Sequence, residues 1–201
     1  MKPNPSWKAL QGKMFGGRKA ENFRLSGSGG HGLITASVIL AKAGIEEGHN
    51  ALQSQVYGAE ARGSATKAEI VIRDGDIFYP KLVAPEFLLA LTPDGITKFS
   101  HDVVPNGLVV YDSVLLPDME PSDKGPYYFG IPMWKEILTE LGSGIAINIV
   151  SLGVVVALTE VVARKTIEET VHDSFKRPEF RASNQKALEL GYRLAEEVKR
   201  G

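Results

Sequence analysis

The stretch Phe23-Arg24-Leu25-Ser26-Gly27-Ser28-Gly29-Gly30-His31-Gly32-Leu33-Ile34-Thr35-Ala36 decides the architecture. Residues 23–26 make a short strand candidate that runs straight into a glycine-rich turn. Beyond the turn, Leu33, Ile34, Ala36, Val38, Ile39, Leu40, Ala43 and Ile45 spread apolar groups over most faces of residues 33–47. That pattern predicts a buried helix. Gly48 is placed to close it, and residues 50–56 follow as a second strand. Strand, glycine loop, helix, strand is the opening of an α/β fold.

Further along, residues 67–73 alternate Ala68, Ile70 and Ile72 with Glu69, Val71 and Arg73, which predicts a half-buried strand. Asp74-Gly75 then reads as a hairpin turn, with residues 76–79 returning as a strand. Phe87-Leu88-Leu89-Ala90-Leu91 is short and continuously apolar, as in a central strand. Thr92-Pro93 predicts a helix start, Thr as cap and Pro at the first position. Residues 108–111 form another buried strand ending at Asp112-Ser113, and residues 114–128 read as a long loop.

The last third is helical by pattern. Residues 132–141 and the very apolar residues 144–163 are two helices. Thr166 with Glu169 spells a capping box for a third, reaching about Phe175. Pro178 breaks the chain, and Ser183 caps a final helix to Lys199. The apolar run 144–163 has the length of a membrane span, but Asn148, Ser151, Thr159 and Glu160 interrupt it. A core helix is the expectation. The fold class predicted is α/β: a Rossmann-like open sheet, largely parallel with a β-hairpin, with C-terminal helices packed on it. Residues 1–22 are expected to form an N-terminal arm, and residues 23–201 a single α/β domain with a helical C-terminal third. The arm carries Lys2, Lys8, Lys13, Arg18 and Lys19 without an apolar segment, so it does not read as a signal peptide. It is open whether it is a loose tail or docks on a partner.

The formal net charge of the 201 residues is -1, which gives no electrostatic case for nucleic acid or an anionic membrane. With no cysteine in the sequence, disulfides, thiolate nucleophiles and iron–sulfur ligation are excluded. Any electron carrier must sit on another chain. The cysteine-free composition fits a cytoplasmic protein. No catalytic residue and no metal ligand set emerges from the spacing of the four histidines.

The glycine loop is the first candidate site, comprising Gly27, Ser28, Gly29, Gly30, His31 and Gly32. Glycine permits positive φ and close approach of backbone to ligand. The helix behind it offers unpaired N–H groups and a partial positive end, suited to phosphate or carboxylate. A dinucleotide reading lacks its ribose-binding acid, since residues 50–56 contain no carboxylate. A P-loop reading lacks the Gly-Lys-Ser/Thr signature. A blander alternative is that the glycines only let strand and helix pack. His31 is the reactive side chain of the loop, or else a plain helix-start residue. The second candidate is Tyr57-Gly58-Ala59-Glu60-Ala61-Arg62-Gly63-Ser64, after the second strand. Loops at neighbouring strand ends line one crevice. Arg62 could grip an anion at two points, Glu60 could position it, and Tyr57 could stack; Gly58 and Gly63 flank them.

Taken together, these residues resemble the gamma subunit of 2-oxoacid:ferredoxin oxidoreductases. The resemblance rests on the glycine loop with Leu33-Ile34-Thr35-Ala36, on Tyr57-Gly58-Ala59-Glu60-Ala61-Arg62-Gly63, and on Pro85-Glu86-Phe87-Leu88-Leu89-Ala90-Leu91. Residues 148–153 with Asn184, Ala187, Leu188 and Gly191-Tyr192 complete it. It covers roughly residues 23–200. Departures are His31, where many members have Gln, and Ser64, where many have Gly.

The resemblance implies oxidative decarboxylation of a 2-oxoacid to an acyl-CoA, with electrons passed to ferredoxin. It implies thiamine-binding alpha and beta subunits and a ferredoxin-like delta subunit as partners. Thiamine diphosphate, Mg and iron–sulfur clusters would lie on those partners and none on this chain alone. Coenzyme A would meet the chain at a subunit interface. The wording of residues 57–63 leans toward 2-oxoglutarate enzymes. The alternative is a freestanding nucleotide- or flavin-binding module.

Overall fold

A computed structural model describes residues 6–56, 65–79, 81–116 and 125–200. A six-stranded sheet forms the centre. Its strands are β1 (Asn22–Gly27), β2 (Asn50–Val56), β3 (Thr66–Arg73), β4 (Phe87–Ala90), β5 (Leu108–Asp112) and β6 (Tyr127–Ile131). They lie in the order β2-β3-β1-β4-β5-β6. β3 runs antiparallel to both of its neighbours, while β1, β4, β5 and β6 are mutually parallel. This is the open, largely parallel α/β sheet expected from the sequence.

Period-two alternation divides the strands between two cores. Phe23, Leu25, Ile70, Ile72, Phe87, Leu89, Leu108, Val110, Phe129 and Ile131 face one large cluster. Helices α2 (Leu33–Glu46), α5 (Ile147–Thr159) and α7 (Pro178–Arg200) bury it. Leu88, Ala90, Val109 and Tyr128 face a smaller cluster closed by Ile96 of α3 (Pro93–Phe99) and by Val103. The connection after β1 therefore leaves on one face and that after β4 on the other. The strand order reverses between β1 and β4, which makes their carboxyl ends the switch point of the sheet.

Local chemistry explains most boundaries. α2 stops where Gly48 turns left-handed, φ +87°, and the His49 N–H reaches back to the Gly44 carbonyl at 3.0 Å. Thr92 caps α3 by accepting the Gly95 N–H on its hydroxyl at 3.2 Å, with Pro93 at the first position. α5 and α7 cross glycine on glycine. A Cβ at Gly153 would stand 2.6 Å from the Leu188 carbonyl oxygen, and one at Gly191 would strike the Val150 carbonyl. Nearly all of α5 is buried, so its apolar character serves the core. Among the described residues no helix is long and apolar enough to cross a membrane.

Several expectations are corrected. Residues 76–79 do not return as a strand: β3 has β2 on one side and β1 on the other, so neither of its edges is free for a hairpin partner. Residues 127–128, read as loop, begin β6, whose bulky aromatics pair it with β5 at the sheet edge. The run 144–163 is not one helix. A 3-10 turn (Gly144–Ala146) precedes α5, and Glu160 at φ +52° ends it. Thr166 is no cap, because α6 (Arg164–Ser174) begins two residues earlier and the Ala163 N–H donates to the Glu47 carboxylate at 2.7 Å. Pro178 opens α7, and Ser183 lies inside it, its hydroxyl donating to the Phe180 carbonyl at 3.0 Å. The N-terminal segment packs on the domain itself. Helix α1 (Trp7–Leu10) and the turn after it bury Trp7, Leu10, Met14 and Phe15, with Trp7 edge-on to Phe129 at 5.5 Å.

Candidate functional site

The glycine loop leaves the carboxyl end of β1 at the switch point. Its geometry needs small residues at chosen places. A Cβ at Gly27 would lie 2.7 Å from His31 Nδ1 and 2.9 Å from Leu33 Cδ1. Gly32 sits left-handed at φ +70°, and a Cβ there would lie 2.8 Å from Asn148 Nδ2. Gly30 is also left-handed, φ +94°, with open space around Gly29 and Gly30. The loop is thus packed below and bare above.

His31 closes the loop on itself. Its N–H donates to the Ser28 carbonyl at 3.2 Å, and the Ser28 N–H donates to His31 Nδ1 at 3.3 Å. A ring nitrogen that accepts cannot carry the proton, so the neutral ring holds its proton on Nε2. Partial burial holds the imidazole pKa below its ordinary 6.5, favouring this neutral form. The ring lies edge-to-face on Trp134 at 5.3 Å between centroids. Behind it, α2 starts at Leu33 without a side-chain cap. Its first amides, from Leu33, Ile34 and Thr35, have no intrahelical partner. Together with the Nε2–H they form a donor-rich edge that suits an anion.

Asp112, at the end of β5, is the positioning group that sequence reasoning missed. It is buried, and one carboxylate oxygen accepts the Val114 N–H at 2.9 Å, the other the Trp134 N–H at 2.8 Å. It thereby fixes the start of α4 (Met133–Leu141) and with it the indole that His31 leans on. Burial raises its pKa, and four backbone N–H groups work against that rise without cancelling it. The sequence signal was present as an Asp at the carboxyl end of a predicted strand.

Asn148 links the loop to a cleft of about 660 Å³ between the start of α5 and the start of α7. Ile145, Ile149, Phe180 and Asn184 line it along with Asn148. Of the second candidate loop, Tyr57, Gly58, Glu60, Arg62 and Gly63 lie outside the described residues. Its exit is described: Thr66 pairs with Gly27 across β3 and β1, and its hydroxyl donates to the Gly27 carbonyl at 2.9 Å. On β2, Gln53 donates to the Ser37 hydroxyl of α2 at 3.1 Å. Among the described residues no group of three or more His, Asp or Glu side chains could hold a metal.

Fold and site define an α/β chain with an uncapped glycine cradle at its switch point. Residues 22–194 match the family model for pyruvate ferredoxin/flavodoxin oxidoreductase. The 2-oxoglutarate synthase subunit KorC of Methanocaldococcus jannaschii is 34% identical over 89% of this chain and 95% of its own. KorC of Methanothermobacter thermautotrophicus is 32% identical, over 90% and 97%. The ketoisovalerate oxidoreductase subunit VorA of that organism is 27% identical over 86% of this chain but only 34% of its own length. The keto/oxoacid ferredoxin oxidoreductase gamma subunit of Geobacter sulfurreducens superposes with a TM-score of 0.75 at 38% identity, covering 87% of this chain and 98% of its own. The fold also matches a 2-oxoglutarate:ferredoxin oxidoreductase from Magnetococcus marinus solved with 2-oxoglutarate, coenzyme A and succinyl-CoA bound. There the TM-score is 0.77 at 24% identity, over 90% of this chain and 32% of that one. The chain belongs to the pyruvate ferredoxin/flavodoxin oxidoreductase family.

Proposed function

We propose that the chain is the gamma-type subunit of a 2-oxoglutarate:ferredoxin oxidoreductase, working in the cytoplasm with alpha and beta thiamine-binding subunits and a ferredoxin-like delta subunit. The reaction class is oxidative decarboxylation of a 2-oxoacid to an acyl-CoA, with ferredoxin as electron acceptor. The substrate assignment follows from the whole-length similarity to KorC subunits of 2-oxoglutarate synthase. Thiamine diphosphate, its Mg and the clusters belong to the companion subunits.

This chain's own part is to receive coenzyme A. The observation that carries this is the uncapped start of α2 above Gly29 and Gly30, open to solvent, with Asn148 both packed against Gly32 and lining the apolar cleft. The Leu33, Ile34 and Thr35 amides and the His31 Nε2–H hold a phosphate group as fixed donors. The cleft beside Phe180 and Ile149 accepts the apolar part of the molecule. Arg62, with Glu60 and Tyr57 close to it in the sequence, is the cation assigned to the same ligand.

Steady-state kinetics of the assembled enzyme test this. Asn148→Asp places a negative charge against the cradle and is expected to raise KM for coenzyme A about tenfold or more, leaving KM for 2-oxoglutarate in place. Arg62→Ala should act in the same direction. An unchanged KM for coenzyme A in both variants would remove this role. A freestanding flavin module is not favoured by the family membership; the purified chain should be colourless.

A further inference from the structure

The edge of the sheet opposite the glycine loop carries an apolar feature that neither cradle nor cleft explains. β3 ends at Arg73 and β4 begins at Phe87, both at the amino ends of the parallel strands. The connection between them exposes Phe78 at 82%, Tyr79 at 81% and Val83 at 82% of their surface. Two aromatics and a valine held out in water within six positions are costly to leave bare, and such groups mark contact surfaces. They are also the side-chain types that anchor interfaces.

The feet of this segment are rigid. Glu86 is buried and accepts the Glu21 N–H at 2.7 Å and the Asn22 N–H at 3.2 Å. Arg73 reaches Glu21 at 3.3 Å, and Arg18 pairs with both Glu86 and Glu21. The N-terminal residues therefore enter the domain between the two feet. The last helix comes to the same edge: Lys199, Trp7 and Arg18 line one shallow groove, and Lys199 lies 3.6 Å from Glu160. The N-terminal segment and the end of the last helix thus meet at the amino edge, where Arg18 ties them to Glu86 at the foot of the apolar segment.

That placement says what covers it. In VorA and in the Magnetococcus enzyme this same domain is about a third of a longer polypeptide. Both described segments that flank the domain, residues 6–18 and the end of α7, lie at the amino edge, the same edge from which Phe78, Tyr79 and Val83 project, so a polypeptide tethered through either is kept near them. We infer that the surface formed by Phe78, Tyr79 and Val83 is the seat of the companion polypeptide that corresponds to the other two-thirds of those longer relatives. This inference rests on the gamma-subunit reading. It leaves the glycine cradle, at the far edge, free for its ligand.

The test uses the full chain co-expressed with its companion subunits. The photoreactive residue p-benzoylphenylalanine, in place of Tyr79, is expected to cross-link to the companion on irradiation. The triple variant Phe78→Ser, Tyr79→Ser, Val83→Ser is expected to weaken association at least about tenfold, with its isolated thermal midpoint unchanged. A wild-type chain that joins no complex would fail the gamma-subunit reading and take this inference with it. A wild-type complex in which the triple variant associates as tightly, or in which position 79 cross-links to a second copy of this chain or to nothing, would overturn the inference alone.

Discussion

Arg24 of β1 and Glu69 of β3 face each other across an antiparallel pair and form an ion pair sealed from water, Arg24 being 1% exposed. Arg24 Nε and Nη2 stand 2.9 and 2.8 Å from one carboxylate oxygen, Oε1, which Lys67 Nζ also reaches at 2.9 Å. Asp102 takes the remaining side of the guanidinium, and the Phe99 ring lies under it at 5.3 Å. Removing the charge at Glu69 would leave the buried Arg24 with Asp102 as its remaining carboxylate partner and take the same oxygen from Lys67. Glu69→Gln is therefore expected to cost about 1–3 kcal/mol in urea unfolding. The paired replacement Arg24→Met with Glu69→Leu should recover most of that loss, because two apolar groups need no counter-ion.

Asp112 accepts a backbone N–H on each oxygen. In Asp112→Asn one of those N–H groups meets an amide NH2 in place of an acceptor. The expected loss is about 1–3 kcal/mol. A structural readout accompanies it: the α4 start loosens, and the His31 ring resonances lose the ring-current shift from Trp134.

His31 gives a pH signature. Burial lowers its folded pKa below 6.5, so the unfolded chain binds a proton first as pH falls. Its contribution to stability is full above pH 6.5 and declines as pH drops from 6.5 toward the folded value. Histidine ring NMR should place its titration below 6.5. His31→Gln should flatten that part of the stability–pH curve, seen by comparing urea midpoints on either side of pH 6.

At the α5–α7 crossing, Gly191→Ala forces a methyl into the Val150 carbonyl, and Gly153→Ala one into that of Leu188. Overpacking of this kind costs about 1–3 kcal/mol and can cost more where backbone is the obstacle. Either variant should lower the thermal midpoint. Gly29→Ala, in open space, should leave it nearly unchanged.

The α/β class and the glycine loop were legible because their signals are local. Strand β1, the apolar α2 and the closing Gly48 are written in consecutive residues, and Thr92-Pro93 announces α3 on its own. What failed depended on distant residues. Asp74-Gly75 spells a hairpin, but β1 and β2 had already taken both edges of β3. Tyr127 and Tyr128 join a strand only because β5 offers an edge. Thr166 and Ser183 look like caps, yet Glu47 supplies the bond that starts α6, from 116 positions away. At the site, residue types pointed to an anion cradle. The roles of Asp112, Trp134 and Asn148 come from elements that only folding brings beside His31.

The burial of α5 also shapes how the chain must be made. This helix is almost wholly apolar, and its deepest partner is α7, which follows it in the sequence. Until the residues of α7 have left the ribosome, the face of α5 that meets α7 is uncovered and sticky. Synthesis from the N-terminus can thus lay down the sheet early while the packing of α5 waits for α7, an interval in which a holding chaperone has a ready target.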